Sequence, residues 1–343
     1  MICIHTYVPN YGIGGVTKSL LYQMTLSTIL AKQFFEKMVL YTTNEIKEIV
    51  KSVGIPYDEI ITEPFDDYSG GTFSIPKMIT YSLQTEPYIH IDIDMFLYDL
   101  RKKIDGYDVI YAFKDIPYGT NSDYESHKGM YETYFKGSFE IADKIPIDFK
   151  PYIDFNNIPN MSIFGGNDYE TISKSAKYCL SLYYDNKEHF DSNYYHACVI
   201  EQLFMSSSID MISGLKERNY VYESSKNFGI TMDIKSLTDA SYPVTLQFFN
   251  NKIHINGEND LYNYSTYNFN CPIHLCGHKN LDVLLFIIRE TIAQRFNGTK
   301  YVDKIEKLVK QENNYDSITR RYYYSMRDKY ETWFKKEAAK KML

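Results

Sequence analysis

The sequence has no long apolar run, one tryptophan and five cysteines. A membrane-spanning helix needs roughly 18 or more consecutive apolar residues. The longest candidate here, Val283 to Ile288, has six, which predicts a core helix instead. The amino terminus lacks a basic segment followed by an apolar stretch and a small-residue cleavage site, so no secretion signal is expected. Five cysteines is an odd count, and no Cys-x-x-Cys pair occurs; Cys271 and Cys276 are too isolated for a zinc framework. Reduced thiols and a cytoplasmic location are the expectation. Positive charge is also short: 37 Lys+Arg against 44 Asp+Glu leave −7. That balance argues against general nucleic-acid binding, which normally carries a basic footprint.

What is present suffices for a folded core. The chain has 343 residues, 44% hydrophobic and 24% charged. At roughly 100–200 residues per domain this allows two or three domains, or one large α/β domain with additions. Tyrosine is abundant at 34 residues, beside 20 Phe. Since Asn, Lys and Ile are also plentiful, AT-rich codon bias is the first explanation, and a carbohydrate-contacting surface the second.

The first hundred residues alternate strand-like and helix-like segments. Met1 to Tyr7 reads as a buried strand, followed by a Gly-rich turn at Gly12, Gly14 and Gly15. Lys18 to Phe35 has apolar residues at helical spacing, and Met38 to Tyr41 is the next strand. Asn44 is placed to cap a helix running to Val53, with Gly54 at its end. Thr72 to Thr85 predicts a third helix, and Pro87 to Ile93 and Val109 to Phe113 predict strands. Such alternation implies a mainly parallel sheet covered on both faces, with ligands bound beyond the carboxyl ends of its strands. Residues 120–150 read as a long loop or small excursion. Tyr242 to Phe249 and Lys252 to Ile255 are β-like, and Leu281 to Phe296 is helical. From Tyr301 to Leu343, 11 Lys+Arg face 7 Asp+Glu. The first expectation for this tail is a helix packed on the body; contact with an anionic membrane surface is the second.

Five features could carry chemistry. Asp92-Ile93-Asp94 closes an apolar strand, and a hard divalent cation would stabilise two such carboxylates. His274, Gly277 and Lys279 form a second group, where a histidine added to two carboxylates favours Mn²⁺ over Mg²⁺. Asn160 opens a strand ending in Gly165-Gly166, whose backbone amides are expected to be accessible. Glu201-Gln202 interrupts the apolar segment HACVIEQLFM, and Lys77 lies in the helix before the acidic strand.

Taken in order, these motifs resemble the metal-dependent glycosyltransferases of the GT-A fold, most nearly the glycogenin and lipopolysaccharide galactosyltransferase group. The positions that match are Thr6 and Tyr7, Lys77, Asp92 and Asp94, Asn160 with Gly165 and Gly166, Glu201 and Gln202, and finally His274, Gly277 and Lys279. The chain departs from the group in three ways. Glu201 replaces the usual Asp, the final motif is one residue short and lacks Pro-Trp, and the usual Ala near Asn160 is missing.

The resemblance implies an α/β fold: a Rossmann-like, mixed sheet flanked by helices, with a helical carboxyl-terminal extension. It implies a catalytic domain over 1–300, with a nucleotide-binding half (1–115) and an acceptor and sugar half (116–300), and a basic, aromatic helical tail over 301–343. The implied activity is transfer of a hexose from a nucleotide-sugar, UDP-linked, to a glycan or other hydroxyl acceptor, leaning to retention. Mn²⁺ or Mg²⁺ would be held by Asp92, Asp94 and His274. Lys77, Lys279 and the Gly277 backbone would meet the diphosphate, Thr6 and Tyr7 the base, and Asn160, Glu201 and Gln202 the sugar and reacting carbon. The cytoplasm, peripheral to the inner face of the membrane, is the implied setting. Three other readings compete: a nucleotide-sugar or carbohydrate-binding protein on the same scaffold, a haloacid-dehalogenase-like phosphatase using Asp-x-Asp, and a nucleotidyltransferase with Gly12 to Gly15 as a phosphate loop.

Overall fold

The computed structural model describes residues 1–9, 16–66, 74–98, 100, 104, 106–114, 145–191, 196–214, 218–222, 244–249, 252–257, 265–268, 273–274 and 282–308. Its centre is a mixed seven-stranded sheet in the order β3-β2-β1-β4-β7-β6-β8. The strands are β1 (Ile2–Tyr7), β2 (Met38–Thr42), β3 (Glu59–Ile61), β4 (Tyr88–Ile91), β6 (Ile110–Lys114), β7 (Pro159–Gly166) and β8 (Asn219–Tyr220). A two-stranded ribbon pairs β5 (Met95–Phe96) with β12 (Ile273–His274), and β9 (Val244–Phe249), β10 (Lys252–Gly257) and β11 (Ser265–Asn268) form a separate antiparallel sheet.

β1, β2, β3 and β4 run parallel, as the strand–helix alternation predicts. β7 departs from that pattern. It inserts between β4 and β6 and runs antiparallel to both, which makes the sheet mixed. The direction of β7 decides where its two ends lie. Ile163 pairs with Ile91 near the carboxyl end of β4, whereas Gly165 and Gly166 pair with Ile89 and Tyr88 near its start.

The helices follow from burial. α1 (Lys18–Ala31) is buried nearly all round, including Ser19, Gln23, Thr25, Ser27 and Thr28. The Thr17 hydroxyl caps it by accepting from the Leu20 N–H. α2 (Asn44–Val53) buries Ile46, Val50 and Val53 and ends at Gly54, whose φ of 81° is the left-handed conformation a helix stop requires. The expected Asn44 cap is corrected: Thr43 holds the N-cap position, and Asn44 Nδ2 donates instead to Asp66 at 2.6 Å. An acceptor that close outside the helix draws the amide away from the helix end.

α3 (Ile75–Ser82) and α4 (Tyr169–Asp185) pack on one face of the sheet, in a cluster containing Met78, Tyr81, Tyr88, Phe164 and Tyr183. On the other face lies α1, covered by α6 (Asp282–Glu290) and α7 (Thr299–Leu308), with Leu21, Ile288, Val302 and Ile305 in one cluster. Among the described residues, no helix is long and apolar enough to cross a membrane. Gly12 to Gly15, residues 120–144, Cys271, Cys276 and the tail beyond Leu308 lie outside the described residues.

Candidate active site at the carboxyl end of β4

β4 delivers alternate side chains to opposite faces of the sheet. His90 and Asp92 project on the side of α3, and Lys77 on α3 meets them there. Its Nζ lies 2.6 Å from Asp92 Oδ1 and 2.7 Å from Glu201 Oε1. All three side chains are largely buried. Burial works against the Lys77 charge, but Asp92 and Glu201 together overcome it and hold its pKa above the ordinary lysine value. An ammonium flanked by two carboxylates stays ionised.

Glu201 reaches this point from a distorted helix. His196–Cys198 is α-helical, Val199–Phe204 is π-helical, and α-helix resumes as α5 (Met205–Ser213). A π turn widens the helix by one residue and is frequent at functional sites. Here the turn carries Glu201 and Gln202, the two polar residues in an otherwise apolar run. Gln202 is half-buried, and its carbonyl accepts from the Ser206 hydroxyl.

Asn160 stands beside the acidic turn. Its Oδ1 accepts from the Ser162 N–H at 3.0 Å, and the Ser162 carbonyl accepts from the Asp92 N–H at 2.9 Å. Thr6 joins the same region through α3: its hydroxyl donates to Thr80 at 3.0 Å, and Thr80 donates to the Pro76 carbonyl. Tyr7 is buried in the cluster of α1, with Leu20 and Phe96. The structure therefore brings Lys77, Asp92 and Glu201 into contact, with Asn160 and Thr6 bracing the backbone around them.

Gly165 and Gly166 correct an expectation. They have φ of 148° and 143°, and a Cβ on either would come within 2.1 Å of the Tyr88 carbonyl oxygen or 2.2 Å of the Asp108 carbonyl oxygen. They are buried for close strand packing, at the opposite end of β4 from Asp92, because β7 runs antiparallel. Their amides are not a ligand cradle.

Asp94 is buried at the turn after β4, where the Met95 N–H donates to the Asp92 carbonyl at 2.9 Å. Its charge acts on His5, whose pKa burial nonetheless lowers to about 3. In the β5–β12 ribbon, His274 stands opposite Met95, one residue beyond Asp94. Asp92 and Asp94 thus share one turn, and the backbone of the strand that carries His274 pairs against it, while Asp92 is already engaged by Lys77. Among the described residues, no three His, Cys, Asp or Glu side chains are grouped as a metal centre. The His274 side chain and all of Gly277 and Lys279 lie outside the described residues.

Sequence reasoning missed the two buried histidines. Tyr81 Oη lies 3.2 Å from His90 Nδ1, and His90 is held well below the ordinary histidine pKa by burial, with Lys77 adding to the effect. His5 bonds Tyr57 and Ser27. The available signal was a histidine in the middle of each of two apolar strands, MICIHTY and YIHI.

Two solved structures are similar over most of the chain. A crystal structure of the galactosyltransferase LgtC in complex with donor and acceptor sugar analogs shares 10% identity, with a TM-score of 0.39, covering 94% of this chain and 100% of that one. An active-site mutant of LgtC also shares 10% identity, with a TM-score of 0.40 and the same coverage. No curated protein sequence matches. A family model described as a family of unknown function (DUF6734) matches residues 13–280, well over half of the sequence, and the chain belongs to that family.

Proposed function

We propose that the protein is a glycosyltransferase that moves a hexose from a UDP-linked sugar to a hydroxyl of a glycan acceptor, with retention at the anomeric carbon. The observation that carries this reading is the contact of Lys77 with both Asp92 and Glu201 at the carboxyl end of β4. It places a fixed positive charge beside an Asp-x-Asp turn, at the edge of the sheet where α/β folds bind ligands. Departure of a nucleoside diphosphate develops negative charge, which the Lys77 ammonium together with a bound cation would stabilise.

Lys77 would meet the diphosphate, with Lys279 and the Gly277 backbone adding contacts. Asp92, Asp94 and His274 would hold Mn²⁺ or Mg²⁺, which when bound neutralises the departing diphosphate. Thr6 and Tyr7 would contact the base. Asn160, Glu201 and Gln202 would face the sugar, with residues 1–115 serving the nucleotide and 116–300 the acceptor. The basic, aromatic stretch beyond α7 would rest on an anionic membrane at its cytoplasmic face.

The test is a panel of nucleotide-sugars with Mn²⁺, read by thermal shift and by release of free nucleoside diphosphate. The expected result is binding and slow diphosphate release with one donor, abolished by Asp94→Asn and by His274→Ala with the fold retained. Undiminished release in both variants would overturn the metal-dependent site. Binding without release across an acceptor panel would favour a binding protein, and Asp92-dependent phosphate release from p-nitrophenyl phosphate would favour a phosphatase.

A further inference from the structure

Arg218 has no part in the site as described so far, yet it touches both segments that lead into it. It lies just before β8, which is fixed to the sheet by pairing with β6 and by the Asn219 side-chain amide on the Val109 carbonyl at 3.2 Å. The Arg218 side chain is 3% exposed. Its Nη2 donates to Asp210 Oδ2 at 2.5 Å, and its Nη1 donates to the Asn157 carbonyl. Asn157 is held a second time, since the Tyr220 hydroxyl donates to its Oδ1 at 2.7 Å. Asn157 also closes a turn that begins at Asp154. The Asp154 Oδ1 accepts from the Asn156 N–H at 2.8 Å, and its carbonyl accepts from the Asn157 N–H at 3.3 Å.

Each partner of Arg218 stands a short way from residues of the candidate site. Asp210 is on α5, and the backbone is helical without a break from His196 through the π turn to Ser213. Asp210 thus shares one rod with Glu201 and Gln202, about 13 Å beyond Glu201 at 1.5 Å per residue. Asn157 precedes Asn160 by three residues, at the entry to β7. Leu203, Met205 and Ile209 pack the rod into the core, but the hydrophobic effect has no direction. The guanidinium does. It is planar, and two of its nitrogens grip the rod and the turn at a fixed separation. A buried ion pair adds little net stability over apolar side chains of similar volume, so what this one supplies is geometry.

We propose that Arg218 is a positioning residue: by holding Asp210 and Asn157 together, it sets Glu201 and Gln202 relative to Asn160, the residues that would face the donor sugar. This inference rests on the glycosyltransferase reading above. A misplacement of about 1 Å by a change remote from the chemistry can lower turnover about a hundredfold. Thr6 and Tyr7 on β1 lie outside the brace, and Lys77 on α3 keeps Asp92 as a partner. Loss of the brace should therefore lower kcat and spare the KM for donor.

Two readouts on the full-length protein test it. Arg218→Lys keeps the charge and loses the fork, whereas Val302→Ala lowers stability from the opposite face of the sheet without touching the brace. Hydrogen exchange read by mass spectrometry needs no ligand. In Arg218→Lys, amides of 154–160 and 199–213 are expected to exchange about tenfold faster or more relative to those of β1, the scale of losing one hydrogen bond to a charged group. In Val302→Ala that ratio is expected to stay at the wild-type value. With the donor that releases diphosphate in the panel above, Arg218→Lys is expected to lower kcat about tenfold or more at an unchanged donor KM, and Val302→Ala to keep both. If Arg218→Lys fails to fold, Asp210→Asn carries the test: it weakens the grip on α5 alone, so exchange should rise in 199–213 and kcat should fall with KM unchanged. Wild-type exchange in both segments, or an equal rise across the whole sheet, would overturn the brace. No diphosphate release by the wild type with any donor would remove the transferase reading and this inference with it. Wild-type release with kcat unchanged in Arg218→Lys overturns the inference alone.

Discussion

At the scale of single residues, the candidate site is a problem of compensating buried charge. Removing one member of a buried ionic group leaves the others without their counter-charge, and the loss is typically about 3–5 kcal/mol. Lys77→Met should therefore destabilise the fold by an amount in that range, read from urea unfolding at neutral pH. Adding Glu201→Gln in that background should recover part of it, because one of the two stranded carboxylates is then neutral. Strict additivity of the two single changes would show that Lys77 and Glu201 do not share a site. The sequence made these residues visible for physical reasons. Acids closing an apolar strand, a lysine on the helix before it and a Glu-Gln pair in an apolar segment each break a local pattern. Tyr57, His5 and Ser27 were not visible, since their contacts join residues 52 and 22 positions apart, on the loop before β3, on β1 and on α1. The pairing of Met95 with His274 is likewise a matter of tertiary register, which local periodicity does not encode.

At the scale of elements, β7 shows how direction overrides motif. Its Asn160 end and its Gly165-Gly166 end read alike as small polar residues near a strand. The antiparallel pairing sends one to the acidic turn and the other to the far edge of the sheet. Gly165→Ala should thus cost roughly 2–3 kcal/mol through overpacking and backbone strain, measured by denaturant unfolding, while the Kd for donor stays unchanged in the folded fraction. A lower donor affinity with unchanged stability would return the glycines to the site. α7 allows a prediction with a pH sign. Glu306 is held by Lys18 at 2.6 Å and by the Tyr22 hydroxyl at 2.5 Å; burial opposes its ionisation, but these partners and Arg289 bring its pKa below the usual glutamate value. A depressed folded pKa gives stability that is present above the unfolded value of about 4.3 and is lost as pH falls through the folded one. Glu306→Gln should lower the Tm at pH 7 and leave it close to wild type near pH 3. An equal Tm deficit at both pH values would mean that the side chain acts through packing.

At the scale of the whole molecule, α7 closes the core, while the basic stretch beyond it carries charge. Val302 and Ile305 pack with Leu21, Val50 and Val53 from α1 and α2, so α7 belongs to the body rather than to a detached tail. Residues 309–343 hold 9 of the 11 cationic residues counted from Tyr301 onward, against 5 acidic ones. These two segments should separate in experiment. Truncation after Gly298 removes two fully buried aliphatic side chains, each contributing about 1.5–3 kcal/mol through burial. It also uncovers the face of α1 and should lower the Tm steeply. Truncation after Leu308 leaves those contacts in place, so its Tm should stay near wild type. If the basic stretch meets a membrane, the second truncation should still reduce sedimentation with phosphatidylserine vesicles, and salt should weaken wild-type binding, since each surface-bound cation is worth about 1 kcal/mol before screening. Vesicle binding that survives truncation after Leu308 would move the membrane-facing charge onto the body. Thermal loss from that same truncation would show instead that residues beyond α7 help to close the core.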